Sequence, residues 1–67
     1  MTKYELKAWA AAALKIPHHI IYNDDNGYKM QFDNGDTYEM RIILWTISKK
    51  IQKFYINGIH VYTSVFD

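Results

Sequence analysis

Hydrophobic positions change period along this chain. Over "TKYELKAWAAAALKI" the apolar residues Leu6, Trp9, Ala10, Ala13 and Ile16 recur at intervals of three and four, which predicts a helix with one buried stripe. Thr2 occupies an N-cap position and Glu5, three residues on, completes a capping box. Pro17 ends the helix. Beyond it the period falls to two. Ile20 and Tyr22, then Tyr28, Met30 and Phe32, then Tyr38, Met40 and Ile42 alternate with mostly polar residues (Lys29, Gln31, Thr37, Glu39, Arg41). Each run reads as a strand with one buried and one wet face.

Turn chemistry sets the register of these strands. The tripeptide Asp-Asn-Gly occurs at 25–27 and again at 33–35. A two-residue turn at Asn34-Gly35 would set Met30 opposite Glu39, which the pleat disfavours. A three-residue loop with Gly35 in the left-handed position sets Met30 opposite Tyr38, Tyr28 opposite Met40 and Lys29 opposite Glu39. The same loop at Asp25-Asn26-Gly27 sets Tyr22 opposite Met30 and Ile20 opposite Phe32. The two loops then lie about 16 Å apart at opposite ends of one strand and cannot share a metal ion. Neither has the Asp five residues before the Gly that an EF-hand loop needs; Tyr22 and Met30 stand there. A two-residue turn at Asn57-Gly58 pairs Ile56 with Ile59 and Phe54 with Val61. That register predicts Phe54, Ile56, Ile59 and Val61 on the core side and Lys53, Tyr55, His60 and Tyr62 outside.

Residues 43–52, "ILWTISKKIQ", carry two signals. Leu44, Ile47, Ile51 and Phe54 keep helical spacing, with lysines near the C-terminal end to suit the helix dipole. β-Branched residues favour a strand instead, which would need a turn at "SKK" without Gly, Pro or Asn. The spacing favours a second helix over 43–52 and the order α-β-β-β-α-β-β. The alternative is a single helix on a five-stranded antiparallel meander. Both are α+β, with helical cover on the apolar side of an antiparallel sheet.

Composition narrows the functional classes. A chain of 67 residues with 49% hydrophobic content reads as a single domain, 1–67, and one this small buries only about 60% of its unfolded surface. With no Cys, disulfides, thiolate metal sites and Cys nucleophiles are excluded. That fits the cytoplasm, as does a start, "MTKYELKAW", that lacks the apolar segment of a secretory signal. No apolar run approaches the roughly 20 residues of a membrane-spanning helix. Net charge is +1, but five acids and one base lie between Asp24 and Glu39, and four bases and no acid between Arg41 and Lys53.

Little in the sequence points to catalysis. His18 and His19 would face opposite sides of a strand and cannot chelate one ion as a pair. His60 with Tyr55, Tyr62 and Lys53 could support acid–base chemistry. The same group reads more simply as a wet sheet face. No phosphate loop, nucleophile elbow or zinc spacing is present, and no cofactor or metal is expected. A non-enzymatic protein-binding module is therefore the leading expectation. The contact residues expected for it are Tyr55, His60, Tyr62, Lys53 and Arg41, together with Trp45, which departs from the main apolar pattern on either reading of its segment. An edge strand at "SVFD" offers a homodimer contact. The second expectation is a single-stranded nucleic-acid binder using the same tyrosines and His60, with Lys53, Lys29 and Arg41. Nine Ile, seven Lys, six Tyr and four Asn against one Arg complete a profile. It resembles that of small phage or mobile-element proteins that bind and inhibit a host protein.

Overall fold

The computed structural model describes residues 1–44 and 46–66. One helix, α1 (Lys3–Ala13), precedes five strands: β1 (His18–Asp24), β2 (Gly27–Phe32), β3 (Thr37–Leu44), β4 (Lys50–Ile56) and β5 (Ile59–Phe66). The strands form one antiparallel sheet in the order β1-β2-β3-β4-β5, a simple meander. The fold is therefore α+β with a single helix on one face.

Helix α1 begins as its capping box dictates. The Glu5 amide donates to Thr2 Oγ1 and the Thr2 amide donates to Glu5 Oε1, both at 3.1 Å. It ends at Ala13, short of Pro17, because the residue before a proline is pushed out of the helical region. The last turn tightens instead, the Lys15 and Ile16 amides donating to the carbonyls of Ala12 and Ala13. Leu6 and Ala13 are buried, and Trp9 and Ile16 pack beside them.

Aromatic rings form much of the core. Trp9 meets Phe32 edge-on at 6.0 Å and Tyr38 at 5.7 Å; Tyr38 leads to Phe54 at 6.3 Å and Phe54 to Tyr62 at 6.0 Å. This chain of rings crosses the inner sheet face. A helix about 10 Å wide cannot cover five strands spaced roughly 4.8 Å apart. Grooves of about 370 Å³ and about 140 Å³ accordingly flank α1, beside Phe54 and Tyr62 on one side and Tyr28 and Met30 on the other.

The second Asp-Asn-Gly loop forms as expected. Gly35 has φ +95°, its amide donates to the Phe32 carbonyl, and the Phe32 amide donates to the Asp36 carbonyl. Met30 faces Tyr38, Tyr28 faces Met40 and Lys29 faces Glu39. Asp36 and Asn57 then knit this loop to the β4–β5 turn. Asn57 Nδ2 donates to Asp36 Oδ1 and the Thr37 amide donates to Asn57 Oδ1. With φ of 53° and 80°, Asn57 and Gly58 supply the two positive values of a two-residue hairpin turn.

Three expectations are corrected. The described residues of 43–52 do not form a helix: Ile43 and Leu44 close β3, Lys50, Ile51 and Gln52 open β4, and Ile43 faces Ile51. Pairing across β3, β4 and β5 outweighs the helical spacing, and Ile47, part of that spacing, is fully exposed. The turn without Gly, Pro or Asn is made by Thr46, whose Oγ1 accepts from the Lys49 amide at 3.1 Å. The first Asp-Asn-Gly is a two-residue turn with Gly27 already in β2. Tyr22 therefore faces Lys29, and an extra residue at Ile21 sets Ile20 opposite Met30. Finally, Phe54 faces Tyr62, because Val61 is an extra residue in β5 that carries Tyr62 to the helix side.

Candidate functional site

Residues directly opposite on neighbouring strands share a face. Those that pack with α1 define the inner face, so the register defines the other face row by row. One row crosses all five strands: Tyr22, Lys29, Glu39, Tyr55 and His60. The next holds Asp24, Gly27, Arg41, Lys53 and Thr63. Beyond it β3, β4 and β5 continue past the β1–β2 turn and contribute Ile43, Ile51 and Val65. Among the described residues no second layer covers this outer face.

Glu39 organises the centre. It is buried, yet its Oε2 accepts from the Tyr22 hydroxyl at 2.6 Å and from Arg41 Nε at 3.1 Å. The Arg41 guanidinium lies 5.2 Å from the Tyr55 ring centroid, within cation–π range. The His60 ring sits 5.5 Å from Tyr55, and its Nε2 forms a 2.6 Å hydrogen-bonded pair with Thr63 Oγ1. A carboxylate thus fixes the direction of an arginine laid across a tyrosine. Where β1 and β2 stop and β3 runs on, a hollow of about 400 Å³ opens, lined by Tyr22, Asp24, Asn26, Arg41, Ile42 and Ile43.

Burial raises the Glu39 carboxyl, but hydrogen bonds from Tyr22 and Arg41 and the charges of Arg41 and Lys29 outweigh it and hold it below the usual carboxylate range. Hydrogen bonding to Glu39 in turn raises Arg41. A carboxyl whose pKa is lower in the folded than in the unfolded chain stabilises the fold fully above its unfolded value. That contribution is lost as pH falls through the folded value. Glu39→Gln is expected to cost about 1–2 kcal/mol at pH 7, with the gap between variant and parent narrowing as pH falls through the lowered Glu39 range. Urea titrations at pH 7 and at successively lower pH measure it. A gap that stays constant through the acid range refutes the network.

Of the six residues singled out from sequence, Arg41, Lys53, Tyr55 and His60 come together on the outer face. Tyr62 lies on the opposite face against Phe54, and Trp45 lies outside the described residues. Sequence reasoning missed Tyr22 and the row Ile43, Ile51 and Val65. Alternation alone puts Tyr22 in the apolar set, because the Ile21 bulge leaves no trace in it. The apolar row was hidden by the helical reading of 43–52, although the odd positions Thr37, Glu39, Arg41 and Ile43 already show the wet face turning apolar toward its end. No three His, Asp or Glu side chains among the described residues converge as a metal site, and no helix is long and apolar enough to cross a membrane. No family model, no curated protein and no solved structure matches the chain.

Proposed function

We propose that the chain acts by stoichiometric binding to another protein through its outer sheet face. The observation that carries this reading is an uncovered apolar row beside a preset arginine. Ile43 and Val65 are 41% and 53% exposed, one row away from Arg41 and two from Tyr55. Tyr and Arg are enriched among residues that dominate binding energy. Holding Arg41 in place through Glu39 and Tyr55 spares part of the roughly 0.5–1.5 kcal/mol that ordering such a side chain costs on binding. Lys29 and Lys53 flank the centre; of the carboxylates on this face Glu39 is engaged by Tyr22 and Arg41, and Asp24, at the hollow's rim, accepts from the Asn26 amide. The partner chemistry that fits is an apolar side chain entering the hollow beside Ile43, with an Asp or Glu on the Arg41 and Lys53 side, away from Asp24. An inhibitor or modulator of a host enzyme or defence system, encoded by a phage or mobile element and acting in the host cytoplasm, fits this surface and the composition.

Affinity capture from the native host tests it. A retained protein is expected, with affinity reduced about 10-fold or more in the folded double variant Arg41→Ala, Tyr55→Ala. Equal affinity of that variant refutes the proposal. The second reading, single-stranded nucleic acid, is favoured by one observation: Arg41 over Tyr55 between two lysines offers both a stacking surface and phosphate partners. Oligonucleotide affinity that falls steeply with salt selects it over the first.

A further inference from the structure

The two edges of the sheet are built differently. β1 is interrupted by the Ile21 bulge, follows Pro17 and ends on Asp24. Bulges, prolines and charges are the devices by which edge strands resist pairing with another chain. β5 reads IHVYTSVF, with no Pro, Gly, Lys, Arg, Asp or Glu. Its one irregularity, at Val61, lies next to the turn and leaves 62–66 in continuous register with β4. Among the described residues β5 pairs with β4 alone, so the outward amides and carbonyls of this segment have no strand beside them.

We infer that β5 is a self-pairing edge and that the partner it fits is a second copy of this chain. Identical strands pair antiparallel about a two-fold axis. Centring that axis on Ser64 uses the whole regular segment. Ser64 then faces Ser64 of the second copy, Thr63 faces Val65, and Tyr62 faces Phe66. The register satisfies parity, since Thr63 and Val65 both belong to the outer face and Tyr62 and Ser64 to the inner. Two β-branched residues meet on the outer face, a favourable cross-strand combination. The result is one ten-stranded sheet. The two Val65 side chains become diagonal neighbours, roughly 7–8 Å apart. The two rows Ile43, Ile51 and Val65 thus border each other across the axis.

Physical need points the same way. Among the residues whose burial is described, Leu6, Ala13, Phe32, Tyr38 and Met40 are the buried hydrophobic ones, and a domain of this size without disulfides commonly gains stability by association. The inference is independent of the proposed function: a monomer could still bind through its outer face, and a dimer need not.

The absence of cysteine makes the test clean. Opposed β-carbons in an antiparallel pair lie about 4.5–5.5 Å apart, close enough for a disulfide after a small adjustment. Under mild oxidation Ser64→Cys is expected to form covalent dimer at least about tenfold faster than Tyr4→Cys, whose site is 80% exposed on the helix. In sedimentation equilibrium the unaltered chain is expected at twice its 8.0 kDa mass. Val65→Lys, checked for fold by circular dichroism, is expected at the single mass. A single mass for the unaltered chain at all concentrations up to the millimolar range overturns the inference. So does a dimer that survives Val65→Lys and cross-links no faster at Ser64 than at Tyr4.

Discussion

Gly27→Ala is expected to cost about 2–6 kcal/mol, the largest loss of stability of any glycine substitution in this chain. Gly27 has φ +136°, outside the range that residues with a β-carbon adopt comfortably. A β-carbon there would stand 2.0 Å from the Met40 carbonyl oxygen, 3.0 Å from the Met40 carbonyl carbon and 3.1 Å from the Arg41 α-carbon. All three are backbone atoms of β3, so no rotamer change relieves the clash. The dihedral costs about 1–3 kcal/mol. Forcing β2 and β3 apart costs about 1–3 kcal/mol more. A chain of this length has roughly 3–10 kcal/mol in total. Gly35→Ala and Gly58→Ala provide the comparison. Both glycines have positive φ, but nothing lies within 4 Å of the added carbon. Each should cost about 1–2 kcal/mol. Urea titration followed by circular dichroism ranks the three. If Gly27→Ala proves no worse than the other two, the close approach of β2 to β3 is wrong.

Phe32→Ala is the second large effect, at about 3–5 kcal/mol. Phe32 is the most buried side chain of the core cluster, 2% exposed, held edge-on by Trp9 and flanked at 5.3 Å by His18. It stands where the helix, β1 and β2 meet, so its removal leaves a cavity that three elements cannot close together. For a domain of this size the expected loss in Tm is roughly 12 °C or more. Ile47→Ala, at the exposed tip of the β3–β4 hairpin, should change stability by less than about 0.5 kcal/mol. A Phe32→Ala protein that melts within a few degrees of the parent contradicts this packing.

Local rules made much of this fold readable. Thr2 and Glu5 announce the helix start, and the stripe Leu6, Trp9, Ala13 and Ile16 announces its buried side. The loop at 33–35 was decided by register alone, because only a three-residue loop keeps Met30 and Tyr38 on one face. The β3–β4 hairpin was obscured for a physical reason. Its turn is closed by the Thr46 hydroxyl, which leaves no Gly or Asn to mark it. Alternation and turn type put Arg41, Lys53, Tyr55, His60 and Tyr62 on one face, and all but Tyr62 lie there.

What the amino-acid sequence determined by itself was therefore the set of local elements: the capped helix, strands with one apolar face, and turns at Asp-Asn-Gly and Asn-Gly. What only the tertiary structure decided was which face each residue occupies beyond a bulge. Side chains alternate with a period of two, so one extra residue reverses the face of everything that follows it relative to the partner strand. Ile21 moves Tyr22 from the apolar set to the Glu39 network, and Val61 moves Tyr62 from the outer face to the core. The strand state of 43–44 and 50–52 likewise depends on cross-strand partners, β3 for β4 and β5 for the outer side of β4. Cross-strand partners leave no mark on the local periodicity of the segment they stabilise.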